Sequence, residues 1–288
     1  PDGLLNADPT PILTAYLENG VLTEGQLRVL RLITLKDSRQ KIFGVTRDNV
    51  EDVVQKRLET FAKVFETVEE EKKKMGIRTS IVDQVWSTFI PHAQWLLERK
   101  MMRAPDSGYI YGINGGQGSG KTVMSHLTKV ILQEIMPQDM GQVVIFSIDD
   151  FYMTKADRED LRELGFDVTE GVSNRGPPGT HDAKWLLRAL RALRGSHEGS
   201  AVPVPQFNKL NDDRVAGPNK FIVGKVGVII LEGWFVGASS DFNLDDLAPD
   251  SFQKLVARKL KKEYKPIFDL FDDLFVFELP AIEQIQAN

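Results

Sequence analysis

Eight consecutive residues, Gly115-Gly116-Gln117-Gly118-Ser119-Gly120-Lys121-Thr122, constrain this chain more tightly than any other feature of it. They fit the pattern G-x-x-x-x-G-K-[ST]. A short apolar run at 109–113 precedes them, and an amphipathic stretch at 121–135 follows, with Val123, Leu127, Val130, Ile131 and Ile135 at helical spacing. That strand–loop–helix context gives the pattern a physical meaning. Glycines let the backbone wrap a phosphate with several N–H groups pointing inward, and the helix N-terminus adds its partial positive charge. In such a loop Lys121 reaches the β- and γ-phosphates of a nucleotide, and the Thr122 hydroxyl is placed to hold Mg²⁺. The eight residues are therefore expected to bind ATP.

The rest of the composition allows such a fold and excludes several others. The chain has 288 residues, 42% of them apolar and 27% charged, which is the mix of an ordinary packed domain or two. It has no cysteine, so thiol redox chemistry and Cys-ligated zinc are excluded. No apolar run approaches the roughly 18 residues of a membrane span. Residues 1–104 carry 16 basic and 15 acidic side chains and the remainder 20 and 26, so neither part has the basic footprint of a nucleic-acid binder. The chain begins at Pro1, as a fragment or a processed product would, and any targeting peptide is expected to lie outside it.

Two regions are expected. Residues 1–104 read as helical: Val54, Leu58, Phe61, Phe65 and Val68 form an apolar stripe on a helix over 48–75, with a charged end at Glu69 to Lys74 and a stop at Gly76. A second helix over 80–102 contains Pro91, which is expected to kink or split it. The turn-rich segment Ala104-Pro105-Asp106-Ser107-Gly108 marks a change of pattern. Beyond it, apolar runs at 109–113, 143–148, 226–231 and 274–279 alternate with helical periodicity at 121–135, 182–194 and 250–271. Strands apolar on both faces that alternate with helices imply an α/β fold with a mainly parallel sheet and right-handed crossovers.

Open parallel sheets bind ligands beyond the carboxyl ends of their strands. Two of these strands end in acids: one runs into Asp149-Asp150-Phe151-Tyr152, the other into Glu232-Gly233-Trp234. A carboxylate beside a phosphate loop can hold Mg²⁺ through water or accept a proton from an attacking hydroxyl, and the residues alone leave the two roles open between Asp149 and Glu232. Asp150 should point away from Asp149, where a structural role competes with a direct one. Two short matches to a guanine-reading element, Thr154-Lys155-Ala156-Asp157 and Asn208-Lys209-Leu210-Asn211, are discounted. The first comes too early in the topology, and the second lacks the final carboxylate. Arg188, Arg191 and Arg194 read as a solvated helix face.

The phosphate loop, the Ser-x-Asp-Asp-Phe-Tyr segment and the Leu-Glu-Gly-Trp segment together resemble the phosphoribulokinase/uridine kinase/pantothenate kinase superfamily. Asn174-Arg175-Gly176-Pro177-Pro178-Gly179-Thr180-His181-Asp182 is similar to the R-G-x-P-G-[ST]-H-D loop of D-glycerate 3-kinases of the plant and cyanobacterial type and their fungal relatives. Val204-Pro205-Gln206-Phe207-Asn208-Lys209, followed by Asp213-Arg214, is similar to their P-x-[FY]-[DN]-K…D-R segment. The likeness covers roughly residues 109 to 278. It implies a P-loop kinase three-layer sandwich, preceded here by an all-helical N-terminal region. The implied reaction is ATP- and Mg²⁺-dependent phosphorylation of D-glycerate to 3-phosphoglycerate, a step of photorespiratory carbon recovery. The compartment it implies is the cytoplasm for a bacterial protein and the chloroplast for one from a plant or alga. By position Lys121, Asp149 and Glu232 match catalytic residues, Asp149 as base and Glu232, with Thr122, as the Mg²⁺ or water ligand. Tyr152, Arg175, His181, Lys209 and Arg214, with Asp149, match the acceptor side, where cations suit a small carboxylate substrate. His181 has a competing reading, since Thr180 or Asp182 could cap the helix that follows. Members of that family continue past this point with an Arg-bearing helix and a C-terminal lid, so the stretch 105–288 is expected to be a kinase core without its lid. A related kinase acting on uridine or pantothenate, a kinase with a large nucleotide-sugar acceptor, and a non-catalytic nucleotide-dependent regulator using 1–104 to touch a partner are the competing readings. Oligomeric state is not legible.

Overall fold

The computed structural model describes residues 8–163, 175–216, 220–239, 241, 243–248 and 251–278. Asn174, Asp250 and Leu279, which fall within the motif and element boundaries expected above, lie outside the described residues. The chain forms two compact units, one containing the residues up to Met102 together with His126–Met136, the other Arg103–Ser125 and the chain from Pro137 onward.

Every element of the first unit is helical among the described residues. Helices α1 (Thr10–Asn19) and α2 (Glu24–Lys36) are joined at Gly20, whose φ of 71° ends the first. Thr23 and Gln26 form a reciprocal cap that starts the second. Helix α3 (Val50–Lys74) buries Val54, Leu58, Phe61 and Val68, while Phe65 is only half-buried. The charged end is not solvated all round, as its pattern suggests. Lys72 is buried and its Nζ donates to both Glu69 oxygens, at 2.9 and 2.8 Å.

Pro91 is accommodated rather than breaking the helix. A short helical piece, α4 (Val82–Gln84), passes through a π-helical turn (Val85–Phe89) into α5 (Ile90–Arg103). The wide turn lies immediately before the Ile90-Pro91 pair, where the ring would otherwise meet the carbonyl four residues back, that of Ser87. That carbonyl accepts instead from Arg39 Nη2 at 2.7 Å. The same device recurs in the second unit, where a π turn (Leu260–Tyr264) precedes Lys265-Pro266.

Helix α6 (Lys121–Ile135) opens in the second unit, and its residues from His126 onward group with the first. Its most buried side chains are Met124, Ser125, Leu127, Thr128, Ile131 and Leu132. The buried face is thus rotated from the expected one, since Val123, Val130 and Ile135 are only half-buried. A stripe read from large apolar residues alone overlooks Ser125 and Thr128, which are small enough to be buried.

The second unit is built on four parallel strands, β1 (Tyr109–Asn114), β2 (Gln142–Ser147), β7 (Val226–Gly233) and β8 (Asp273–Val276), in the order β2-β7-β1-β8. Every residue of β7 is buried, as a central parallel strand requires, whereas β8 at the edge exposes alternate residues. Between β2 and β7 the chain forms α7 (Lys155–Glu163), α8 (Ala183–Arg194) and two antiparallel pairs that sequence patterning did not reveal. These are β3 (Ala201–Val204) with β6 (Lys220–Val223), and β4 (Phe207–Asn208) with β5 (Asp213–Arg214). Their two- to four-residue strands are too short to show a period. After β7 come α9 (Phe252–Lys259) and α10 (Lys265–Phe268), flanking the π turn.

Asp182 caps α8, accepting from the Trp185 N–H at 2.9 Å. Leu186, Leu190 and Leu193 of that helix are fully buried with Ile110, Ile229 and Leu231 of the sheet, each contributing about 1.5–3 kcal/mol of transfer free energy. Arg188 and Arg191 are exposed as expected, but Arg194 is not part of a solvated face. It pairs with Asp272 and donates to the Leu270 carbonyl, tying α8 to the entry of β8.

Candidate active site

Strand register assembles the site. Asn114 of β1 lies opposite Gly233 of β7, and Ser147 of β2 lies opposite Glu232. The segments leaving β1, β2 and β7 therefore emerge at one edge of the sheet, the carboxyl edge. There they line a cavity of about 460 Å³ whose wall includes Gln117, Lys121, Thr122, Asp149, Arg175 and Glu232.

The phosphate loop occupies one end. Gly118 and Gly120 have φ of 74° and 91°, left-handed conformations that a side chain would strain. Lys121 is half-buried at the start of α6, and its Nζ donates to the Gly116 carbonyl at 2.8 Å. Burial lowers its pKa, with Glu232 and Asp149 opposing that shift. Ser119 Oγ is buried without a hydrogen-bond partner. The loop thus holds an ammonium engaged only by a loop carbonyl and a hydroxyl that the fold leaves unpaired, the chemistry a phosphate chain satisfies.

Strand β2 ends at Ser147, one residue before the expected boundary, because the chain turns into a 3₁₀ turn (Ile148–Phe151). The Ser147 N–H donates to Asp150 Oδ2 at 2.9 Å, and the Asp149 N–H donates to Ser147 Oγ at 3.3 Å. Asp150 is thereby committed to the turn. Burial raises its pKa, and the Ser147 N–H works against that. Asp149 is left on the cavity wall. Glu232 is 9% exposed, and burial raises its pKa, while the Ser147 hydroxyl and the Lys121 ammonium favour its charged form. Ser147 thus bridges the two acids. It stands inside the quoted motif but was not singled out, since only the β2–β7 register brings it to Glu232.

The cationic side chains sort into two groups. Lys209 and Arg175 line the cavity. Lys209 Nζ is 2.7 Å from Asp149 Oδ2. Arg175 Nε is 3.1 Å from Asp212 Oδ1, its Nη1 donates to the Lys209 carbonyl at 3.2 Å, and its guanidinium lies over Phe207. Arg214 and His181 stand behind Tyr152, which does line the cavity. Arg214 Nε donates to the Tyr152 carbonyl at 2.8 Å, and its Nη2 is 3.3 Å from Asp182. The His181 ring is fully buried and stacked on Tyr152 at 4.2 Å between centroids. Burial pushes its pKa down to about 3, so the ring is neutral. Tyr264 Oη accepts from the Gly179 N–H at 2.9 Å and lies 2.9 Å from His181 Nδ1. The Tyr264 hydroxyl and Nδ1 share that hydrogen bond, while Nε2 is buried without a partner. Tyr152 in turn hydrogen-bonds Asp149; burial, then the Asp149 charge, push its pKa upward.

Trp234 also lines the cavity, its indole N–H donating to the Gly176 carbonyl at 3.1 Å, a contact between two motifs that no spacing rule links. The two discounted guanine-like matches are local turns. The Thr154 hydroxyl and Asp157 bond each other at the start of α7, and Asn208 Oδ1 accepts from the N–H groups of Leu210 and Asn211 in the β4–β5 turn.

No protein-family model matches the chain. Among curated proteins it is 31% identical over 191 residues to "Uncharacterized kinase mug58" of Schizosaccharomyces pombe, covering 62% of this chain and 67% of that protein. The chain belongs to the P-loop kinase family. It is also 35% identical over 133 residues to "Probable ATP-dependent kinase TDA10" of Saccharomyces cerevisiae, covering 43% of this chain and 44% of that one. Among solved structures, a D-glycerate 3-kinase from Cryptococcus neoformans matches with a TM-score of 0.51 at 20% identity, over 69% of this chain and 76% of that one, a likeness of fold. The parallel sheet and its helices are those of a P-loop kinase, as the motifs imply. Among the described residues no helix is long and apolar enough to cross a membrane.

The donors present fit Mg²⁺. The Thr122 hydroxyl and the Glu232 and Asp149 carboxylates share the cavity wall, and hard oxygen donors with few protein ligands suit an ion that keeps phosphate oxygens and water. Among the described residues there is no cluster of three or more His, Cys, Asp or Glu side chains able to hold a metal by themselves.

Proposed function

We propose that this P-loop kinase transfers the γ-phosphoryl group of ATP to the primary hydroxyl of D-glycerate, giving 3-phosphoglycerate. The observation that carries the reading is the cavity itself: its wall brings together the phosphate loop with its Lys121, the acids Asp149 and Glu232, and the cations Arg175 and Lys209, with Lys209 paired to Asp149. A small alcohol bearing a carboxylate suits such a site, its carboxylate facing the cations and its hydroxyl facing Asp149. The loop 115–122 holds the triphosphate, with Lys121 exchanging the Gly116 carbonyl for phosphate oxygens. Arg175 and Lys209 take the glycerate carboxylate. Lys209 is released from Asp149 as it does so, and Asp149 then accepts the proton of the attacking hydroxyl. Thr122 and Glu232 would hold Mg²⁺, which supplies charge neutralisation on the phosphate oxygens when bound. Tyr152 fixes Asp149. His181, Arg214 and Tyr264 fix Tyr152, so His181 and Arg214 serve the acceptor side through it. Most of the acceleration comes from this positioning and from fixed charge.

The test is coupled ADP release with D-glycerate, L-glycerate, pantothenate and uridine as acceptors. Turnover with D-glycerate well above the others is expected. Turnover with only another alcohol moves the acceptor assignment, and ATP binding with no turnover on any of them overturns the reading as a kinase of small alcohols.

A further inference from the structure

The helical unit contains a buried cation for which the fold supplies no hydrogen-bond partner among the described residues. Arg57 of α3 is 3% exposed. Among the described residues its guanidinium makes no hydrogen bond and no ion pair, and its Nε is buried and unpaired. It lies over the Trp86 ring, 5.2 Å from the centroid, which compensates the charge only in part and uses none of the five N–H donors. The carboxylate that acts on it, Asp37, is already committed. Its Oδ1 accepts from the Arg39 backbone N–H at 2.8 Å and from Arg39 Nε at 2.9 Å, and its Oδ2 accepts from Arg39 Nη2 at 2.9 Å. Burial draws the Arg57 pKa down only to about 10, so the group stays charged at neutral pH. Holding a charged guanidinium at such burial without hydrogen bonds is costly.

Arg57 also lines a cavity of about 260 Å³. Phe43, Val53, Pro91 and Trp95 form apolar and aromatic walls, and Gln94 offers an amide. The acids and the lysine at this cavity, Asp52, Glu98 and Lys56, are exposed, and Arg57 is the buried charge among the residues that line it. We propose that this cavity is a binding site for a small organic oxyanion, a carboxylate or phosphate on a compact apolar body, held by the Arg57 guanidinium. Bidentate pairing of an oxyanion with a guanidinium supplies the hydrogen bonds the fold withholds, and the ring walls take the apolar body. The site lies wholly within the helical unit and uses none of the kinase residues.

Calorimetric titration of the full chain with benzoate and, separately, inorganic phosphate tests this. Binding of at least one probe is expected, and which one binds says whether the natural ligand carries a carboxylate or a phosphate. Arg57→Met keeps the stem and removes the charge. It is expected to weaken that binding by about ten- to a hundred-fold, the loss of a charge-assisted pair, while raising the Tm of the ligand-free protein. Val53→Phe, which fills the cavity from the next turn of the same helix and keeps the Arg57 charge, should also abolish it and covers the case in which Arg57→Met does not fold. Anion uptake unchanged in both variants belongs to the phosphate loop and overturns the proposal. So does the absence of binding by either probe.

Discussion

The two ends of the kinase cavity are built in opposite ways. The phosphate end is one unbroken octapeptide whose binding groups are backbone N–H donors and a lysine held on its own loop carbonyl. The acceptor end draws on three separate segments, 149–152 with Asp149 and Tyr152, the loop at Arg175 and the β4–β5 turn at Lys209, and the three are tied to one another or to further parts of the chain. Recognition of phosphate is thus local and transferable, whereas recognition of the acceptor is a property of tertiary packing. Damage to the first end should abolish chemistry on any acceptor. Damage to the second should change affinity for one acceptor.

The sharpest way to break this comparison is at the residues that serve both ends. Lys121→Ala and Asp149→Asn should each lower kcat by about 10²-fold or more with the fold intact, the loss expected when a transition-state charge partner or a general base is removed. Near-normal turnover in Asp149→Asn, by steady-state ADP release, would remove the base assignment. Acid should strike the packing behind the acceptor end next. His181 is held neutral with its pKa near 3, so the unfolded chain takes up a proton near pH 6.5 that the folded chain refuses. The stability it contributes is complete above that range and falls as pH drops toward 3, by about 2 kcal/mol at pH 5. His92 in the helical unit, also near 3, adds a like loss. Denaturant titrations at pH 7 and pH 5 should show both, and His181→Gln should remove only its own share. A slope unaltered by that change would mean the ring is not held neutral.

Smaller effects sharpen the division. Arg175→Ala should raise KM for glycerate about ten-fold and leave kcat and the KM for ATP nearly unchanged, as loss of one charged hydrogen-bonding partner predicts. An unchanged KM would clear Arg175 of carboxylate binding. Least of all, Thr154→Ala should cost about 1 kcal/mol as a lost helix cap and leave the choice of nucleotide untouched. Any shift in ATP-over-GTP preference would restore the guanine reading that the α7 cap displaces.

Much of this was legible in the chain itself. The four parallel strands, the phosphate loop and the positions of Asp149 and Glu232 follow from short apolar runs and from residues fixed to their ends. Contiguous patterns of this kind survive folding because the backbone itself carries them. What stayed illegible was everything that depends on pairing across the sequence. Ser147 meets Glu232 only through the β2–β7 register, and His181 and Arg214 fall behind Tyr152 rather than into the cavity. The π turns before Pro91 and Pro266 are tertiary solutions too, the first dependent on Arg39 from another segment.

The amino-acid sequence by itself determined that this chain grips a phosphate, since eight neighbouring residues suffice to shape a nest of amides at a helix start. Only the tertiary structure decided which cations line the cavity, which serve as scaffold, and which one, Arg57, is left buried without a hydrogen bond. Those outcomes rest on distances between residues far apart in the chain, and long-range proximity is set by packing rather than by local pattern.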